Sequence, residues 1–323
     1  MLTSLLTELR EQLDAHAYPG YVYGYPHKKA YRPLSEPVPL ADAWADEVRT
    51  HLFAYVHLPY CNQRCSFCNL FTLIPGERTD VKPYLDALAR QMEAHARHAP
   101  GRYVRLYLGG GTPTYLSSAE LRRLMGDLRG ILGIDPARTQ GCIEASPETL
   151  DAEKVETLAE LGFRRVSLGV QSLVEDELDA VNRRFDFARN AEAIALLGRA
   201  GFPEFNIDLI YGLPAQTLTT WCHSLDRAID SPATSLFLYP LYVRPLTGLG
   251  RRTQLDSPTT HAMGHMYDAA LDRLTRAGFR QITMRQFRRD PETHADDGYR
   301  CQRDGMVGLG AGARSYTRHL HYS

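Results

Sequence analysis

The sequence predicts an α/β fold, a partial (β/α)6 TIM-like barrel with an N-terminal arm and a short C-terminal extension, and three observations carry that reading. From about residue 52 onward, short β-rich runs alternate with longer amphipathic stretches, the pattern that builds parallel βαβ units. The alternation repeats six times, which suits an incomplete barrel. Glycines stand where amphipathic stretches stop, as at Gly133 and Gly162, where a helix C-terminus favours them.

The predicted strands are Leu52 to Leu58, Tyr103 to Leu108, Gly141 to Ala145, Arg165 to Val170, Phe205 to Tyr211 and Ser235 to Tyr242, each followed by a helix. The best-marked helix starts at Ser117. Its hydroxyl caps Ser-Ser-Ala-Glu with Glu120 reaching back, and Leu121, Leu124, Met125, Leu128, Ile131 and Leu132 form one apolar stripe. Residues 151–161 repeat the logic with Val155, Leu158 and Leu161, and residues 80–97, 189–200, 217–229 and 259–277 read similarly. We divide the chain into an N-terminal helix and Tyr/Pro-rich arm (1–50), the partial barrel (51–245) and a C-terminal helix with a Gly-rich strand region (246–323). Residues 18–33, YPGYVYGYPHKKAYRP, are expected to be irregular, either a surface arm packed by its tyrosines or a cover over the barrel mouth. The pattern weakens after residue 280, and the chain stops at Tyr322-Ser323 without a capping helix, so a truncated C-terminal region is expected.

Composition narrows the partners. The chain has 323 residues, 44% of them hydrophobic and 23% charged, the balance of an ordinary globular protein rather than a disordered one. A formal net charge of −1 supplies no positive field for a nucleic-acid backbone. The opening residues already contain Glu8, Glu11 and Asp14, and no apolar run approaches a membrane span. A cytoplasmic protein with no nucleic-acid partner and no membrane span is expected.

Of the six cysteines, Cys61, Cys65 and Cys68 cluster in the run CNQRCSFC, while Cys142, Cys222 and Cys301 are scattered. That is no disulfide framework; a tight cluster in a large chain points to metal or redox chemistry. Thiolates in a Cys-x3-Cys-x2-Cys spacing suit an iron-sulfur cluster, zinc or copper(I). A structural zinc site wants four protein ligands, and no second Cys-x-x-Cys occurs. Three thiolates on a four-iron cluster leave one iron open, as a catalytic metal requires. Spacing by itself leaves both metals in contention.

With Tyr55-Val56-His57-Leu58-Pro59-Tyr60-Cys61 followed by Cys65, Phe67 and Cys68, the chain resembles the radical S-adenosylmethionine (SAM) superfamily, in the HemN/HemW-like branch that includes oxygen-independent coproporphyrinogen III oxidase. The likeness runs over roughly residues 52–318 and continues through Gly109-Gly110-Gly111-Thr112-Pro113-Thr114, where glycines let a backbone approach a ligand closely and expose its N–H groups. The resemblance implies a radical-SAM-type barrel, a 4Fe-4S cluster on Cys61, Cys65 and Cys68, and SAM contacts from Tyr55, Phe67, Gly110, Gly111, Thr112, Glu144, Gln171, Arg183 and Asp208. Arg314 occupies a late SAM-contact position, with a different residue type from the family's. Glu144, Gln171 and Asp208 each end or nearly end a predicted strand, so a barrel brings them to one mouth with the cysteine loop.

The chemistry so implied is reductive cleavage of SAM to a 5'-deoxyadenosyl radical that removes hydrogen from a small molecule, with flavodoxin or ferredoxin as electron donor. Two departures bear on the substrate. The resembled oxidases carry a further cysteine two positions after the third, where this chain has Leu70, and their pattern before the late glycine strand is replaced by Cys301-Gln302-Arg303-Asp304-Gly305-Met306. Three activities therefore stand side by side: an oxidoreductase acting on a tetrapyrrole-like or other anionic small molecule, a methylase or cyclopropanase using two SAM, and a haem-carrying chaperone. Arg280, Arg285, Arg288 and Arg289 form a basic group suited to an anionic substrate, or else a solvated strand edge. His261 and His265 lie four apart on a predicted helix and have no evident partner in the sequence.

Overall fold

The computed structural model describes residues 31–76, 80–184, 186–252, 257–289, 298–301 and 303–323. Most of the expected N-terminal helix and arm, together with Gln302 of the replaced pattern, therefore lies outside the described residues. Six strands follow in chain order: β1 (Leu52–Leu58), β2 (Tyr103–Gly110), β3 (Gly141–Ala145), β4 (Arg165–Gln171), β5 (Glu204–Tyr211) and β6 (Ser235–Pro240). Each pairs in parallel with the next. The connecting helices are α1 (Lys82–His98), α2 (Ser118–Leu132), α3 (Ala152–Glu160), α4 (Glu175–Ala180), α5 (Phe187–Ala200) and α6 (Leu218–Ile229), and α7 (Thr260–Arg276) follows β6. The partial βα-barrel expectation holds, as an open ribbon rather than a closed ring of strands.

The last part of the chain completes the ribbon at both sides. Strands β7 (Arg280–Gln281) and β8 (Gln286–Arg288) form a hairpin that joins β6 in antiparallel register. Strand β9 (Met306–Leu309) runs parallel to β1, and β10 (Ser315–Tyr316) and β11 (His321–Tyr322) extend that side. The order across the eleven-stranded sheet is β11-β10-β9-β1-β2-β3-β4-β5-β6-β8-β7.

Alternation along each parallel strand sorts residues between two surroundings. Leu52, Ala54, Val56, Leu58, Leu106, Leu108, Ile143, Val166, Leu168, Ile207, Leu209, Leu236 and Leu238 are fully buried under the helices. The residues between them turn to the concave side: Tyr55 and His57, Tyr107, Cys142 and Glu144, Arg165 and Ser167, Glu204, Asn206 and Asp208, Ser235 and Tyr239. Register aligns these into rows, Tyr55–Tyr107–Cys142–Arg165–Glu204 below and Glu144–Ser167–Asn206–Ser235 above. The covering helices are well closed. Ser117 and Glu120 form the expected capping box on α2, and Thr217 and Thr220 form another on α6. Trp221 is fully buried and donates from Nε1 to the Met266 carbonyl at 2.8 Å, fixing α6 against α7.

Glu204 joins the concave rows to the β8 edge. Its Oε2 accepts from Arg288 Nη2 at 2.6 Å, and its Oε1 accepts from Ser235 Oγ at 2.8 Å and lies 3.2 Å from Arg165 Nε. Two mostly buried guanidinium groups thus share one carboxylate, and removing it leaves Arg288 without that buried partner and Arg165 with Asp208 as its nearby carboxyl. We expect Glu204→Ala to lower the unfolding free energy by about 3 kcal/mol or more, measured by chemical denaturation. Breaking the exposed Arg122–Glu160 pair should change it little.

Candidate active site

The cysteine loop begins where β1 ends and is closed by a backbone clasp. Cys61 N donates to the Leu73 carbonyl at 3.0 Å, and Leu73 N donates to the Pro59 carbonyl at 2.7 Å. Within the loop Cys68 N donates to Cys65 O at 3.1 Å. Neighbouring segments hold it from outside: Ser66 N bonds the Val181 carbonyl, Asn182 Nδ2 bonds the Arg64 carbonyl, and Leu249 N bonds the Ser66 carbonyl. His57 supports it from below. Its Nε2 lies 2.8 Å from the Phe71 carbonyl, which can only accept, so that nitrogen carries the proton and Nδ1 accepts from the Tyr55 hydroxyl at 3.2 Å. Burial pushes the His57 pKa down, consistent with this neutral ring.

All three cysteines line one cavity of about 610 Å³. Cys61 Sγ lies 3.4 Å from Thr112 Oγ1, and Arg183 Nη1 lies 3.5 Å from Cys65 Sγ. Burial pushes the Cys61 thiol up to about 11, and the charges of Cys68 and Cys65 push the same way. Burial also raises Cys68. As thiolates these groups repel one another in a poorly solvated loop, a penalty that a bound cationic centre relieves. Among the described residues no three His, Cys, Asp or Glu side chains converge closely enough to hold a single metal ion. The three soft, mutually repelling donors share one cavity lining, and their chemistry fits an iron-sulfur cluster.

The glycine loop reaches the cavity, but three of its N–H groups are not exposed to it. Gly110 N donates to Glu144 Oε2 at 3.2 Å, Gly111 N to the Leu58 carbonyl at 2.7 Å and Thr112 N to the Tyr60 carbonyl at 2.7 Å, so these N–H groups are engaged within the protein. What demands glycine is proximity. Gly110 has φ 113° with the His57 ring beneath it, and a Cβ at Gly111 would fall 2.6 Å from the Pro59 carbonyl. The loop is braced from below by Lys154, which sequence reading missed. Its buried ammonium donates to the carbonyls of Thr114 and Leu116.

Glu144 and Asp208 form the polar wall. Glu144 Oε1 accepts from the Tyr107 hydroxyl at 2.8 Å, and Asp208 accepts from Asn206 Nδ2 at 2.7 Å and Ser167 Oγ at 3.1 Å. Burial pushes Glu144 up to about 7, with the charge of Asp208 adding to the rise. Burial likewise pushes Asp208 up to about 6, moderated by Arg165. Gln171 adopts a left-handed backbone (φ 72°) at the end of β4, next to a register shift between Gly169 and itself. Such strain is held in place by surrounding structure and gathers at functional sites.

Cys61, Cys65, Phe67, Cys68, Gly110, Gly111, Thr112, Glu144, Gln171, Arg183 and Asp208 all line the cavity. Tyr55 does not; it lies beside His57 and stacks on Tyr107 at 6.1 Å. Arg314 is also outside the lining, because its guanidinium lies over the Tyr31 ring at 5.2 Å, after the β9 turn. The basic group near residue 285 divides. Arg288 is committed to Glu204, and Arg289 bonds the Ala233 and Ile229 carbonyls and stacks on Phe279. Only Arg285 of the four lines the cavity, joined there by Tyr239, Tyr242 and Arg244. His261 and His265 face each other at 3.0 Å on the exposed side of α7. Parity was the available signal for the missed residues: counting in twos from Glu144 and Asp208 reaches Cys142, Asn206 and Glu204, and the register then aligns Arg165 and Ser167 with them.

The family model described as "Radical SAM superfamily" matches residues 55–228. The heme chaperone HemW of Bacillus subtilis is 30% identical over 81% of this chain and 70% of its own length. The oxygen-independent coproporphyrinogen III oxidase of Pseudomonas aeruginosa is 33% identical over 84% of this chain but only 58% of its own length. The solved structure of the Escherichia coli coproporphyrinogen III oxidase HemN, described as a radical SAM enzyme, superposes with a TM-score of 0.78 at 28% identity, covering 87% of this chain and 68% of that one. No helix among the described residues is long and apolar enough to cross a membrane.

The raised carboxyl pKa values set a pH dependence. Between the ordinary carboxylate range and about 7 for Glu144, or about 6 for Asp208, the folded protein keeps protons that the unfolded chain has lost. Their contribution to stability is therefore most favourable in acid and declines as pH rises through that window. Glu144→Gln should raise the melting temperature of the ligand-free protein at about pH 8 and shrink its difference from about pH 5.5, measured by differential scanning calorimetry.

Proposed function

Because the chain belongs to the radical SAM superfamily, which implies a 4Fe-4S cluster and SAM, we propose that Cys61, Cys65 and Cys68 are the cluster ligands and that the concave wall beside them binds SAM. The observation that carries this is the convergence of the clasped thiol loop, Glu144 and Asp208 on one cavity. When bound, the reduced cluster supplies the electron that splits the sulfonium of SAM into methionine and a 5'-deoxyadenosyl radical.

This chain's residues bind and orient. Arg183 keeps a positive charge beside Cys65 while its other nitrogen bonds Ser146 Oγ at 3.2 Å and the Gly169 carbonyl, tying the cysteine loop to the ends of β3 and β4. Glu144, already oriented by Tyr107 and Gly110, receives the methionine ammonium, whose charge offsets the cost of ionising a buried carboxyl. Asp208 and Gln171 take the hydroxyl-bearing part of the nucleoside.

The substrate is a small anionic molecule of the tetrapyrrole kind, in keeping with relatives named for coproporphyrinogen oxidation. Haem carriage is a second reading, favoured by the chaperone relative, whose own length this chain covers more fully, and by Leu70 in the cavity lining where the resembled oxidases carry a cysteine. An anaerobic haem titration separates them, since stoichiometric tight binding is expected of a carrier alone.

Anaerobically reconstituted protein given dithionite and SAM should release 5'-deoxyadenosine, detected by mass spectrometry. Alanine at Cys61, Cys65 or Cys68 should abolish both the charge-transfer absorption and that release. Stoichiometric zinc with no nucleoside would sink the proposal. Glu144→Gln should retain the cluster and raise the KM for SAM by about tenfold, the loss of one charge-assisted contact.

A further inference from the structure

We propose that Glu177, a buried carboxylate on α4 outside the cavity lining, is a positioning residue for the nucleoside side of the site, holding the turns after β4 and β5 in one strained arrangement. Its functional half rests on the reading above, in which Gln171 contacts SAM.

Among the described residues, three other than glycine have a left-handed backbone: Gln171 (φ 72°), Asn182 (φ 53°) and Ala215 (φ 63°). Asparagine tolerates that region, whereas glutamine and alanine adopt it at a cost. Gln171 closes β4 and lines the cavity, and Ala215 stands in the turn after β5. The residue that follows each of them bonds the same carboxylate oxygen. Ser172 Oγ donates to Glu177 Oε2 at 2.6 Å, and Gln216 Nε2 donates to that oxygen at 2.9 Å. All three side chains are buried, so the two bonds are made where local polarity is low and each counts for more.

Both arms continue into their own turns. Ser172 Oγ accepts from Val174 N at 3.1 Å, and Leu173 N donates to Ser224 Oγ on α6 at 3.1 Å. Gln216 Oε1 accepts from Gly212 N at 2.6 Å and Leu213 N at 3.3 Å, while Nε2 also reaches the Ile210 carbonyl at 3.2 Å. Backbone strain persists where the surroundings over-determine it, and Glu177 Oε2 is common to both strained turns. What the strain secures is the aim of Gln171. Its Nε2 lies against Gly169, where a Cβ would come within 2.8 Å of it, at the register shift of β4. Relaxing Gln171 to an extended backbone would swing its side chain off that position.

The test uses anaerobically reconstituted holoprotein. SAM affinity is measured by isothermal titration calorimetry without reductant, and backbone order by hydrogen exchange of the SAM-free protein. Glu177→Ala should weaken SAM binding by about fivefold or more, the scale of one lost hydrogen bond. It should raise the KM for 5'-deoxyadenosine release and leave kcat within about twofold. Glu177→Gln, which keeps an accepting oxygen, should bind within about twofold of wild type. Ser172→Ala cuts only the β4 arm, serves where Glu177→Ala folds badly, and should show the same loss. In a Gln171→Ala background, adding Ser172→Ala or Glu177→Ala should weaken binding by less than about twofold, whereas a general effect on the fold would add in full. Exchange in Glu177→Ala should quicken together in segments 171–175 and 210–216, with 105–111 unchanged. Unaltered SAM affinity in both single variants, full additivity with Gln171→Ala, or faster exchange confined to one of the two segments overturns the proposal. If wild-type holoprotein takes up no SAM, the reading of Gln171 as a SAM contact falls, and the exchange result alone decides whether Glu177 couples the two turns.

Discussion

Successive side chains of a strand point to opposite faces of its sheet, and here the two faces meet different media. One face lies under helices and accepts only apolar residues; the other bounds a cavity and carries tyrosines, carboxylates, hydroxyls and arginines. The division holds through all six consecutive parallel strands, so the scaffold and the site are written in alternate letters of the same segments. A one-residue slip would drive a polar or aromatic side chain beneath a helix and an apolar one into the cavity, and in β3, β4 and β5 the buried group would be a charge. That double penalty ties the register of the sheet to the geometry of the site.

The site also depends on loops that cannot hold themselves. The cysteine loop is short of regular structure, and its shape comes from a backbone clasp at its ends, His57 beneath and the 181–184 and 248–249 segments outside. Arg183 touches a cysteine sulfur, a serine of the β3 loop and a carbonyl of β4. One side chain thereby relates the cysteine loop to the carboxylate wall. The glycine loop contributes by being thin: its N–H groups are spent on the protein, and its missing side chains allow β1 and β2 loops to lie in contact.

Long periodic segments were legible in the sequence because their signal accumulates over many residues. The β1 and β3 limits match, and the α2 capping box and the ends of the other expected helices fall within a residue or two, while the six-residue α4 was not expected. The short strands β7 to β11, of two to four residues, carry no period, so their positions on the two flanks of the sheet emerge only from three-dimensional pairing. Cys61, Cys65 and Cys68 were visible because the chemistry sits within one short run. Arg165 and Lys154 were not, since each matters through partners distant in sequence. The four arginines between 280 and 289 look alike on paper, yet within five residues Arg285 meets the cavity, Arg288 a buried carboxylate and Arg289 the carbonyl end of a helix.

The pairing of β8 with β6 and of β9 with β1 has a bearing on how the molecule is made. A nascent chain that has emerged as far as β6 possesses a parallel ribbon with bare hydrogen-bonding groups along both flanks, the kind of margin on which other chains add strands. Among the described residues those margins are covered by β8 and β9, which are synthesised after β6, across loops whose closure is entropically slow. Chaperone dependence and a tendency to aggregate during expression would therefore trace to the ribbon's unfinished sides rather than to its core.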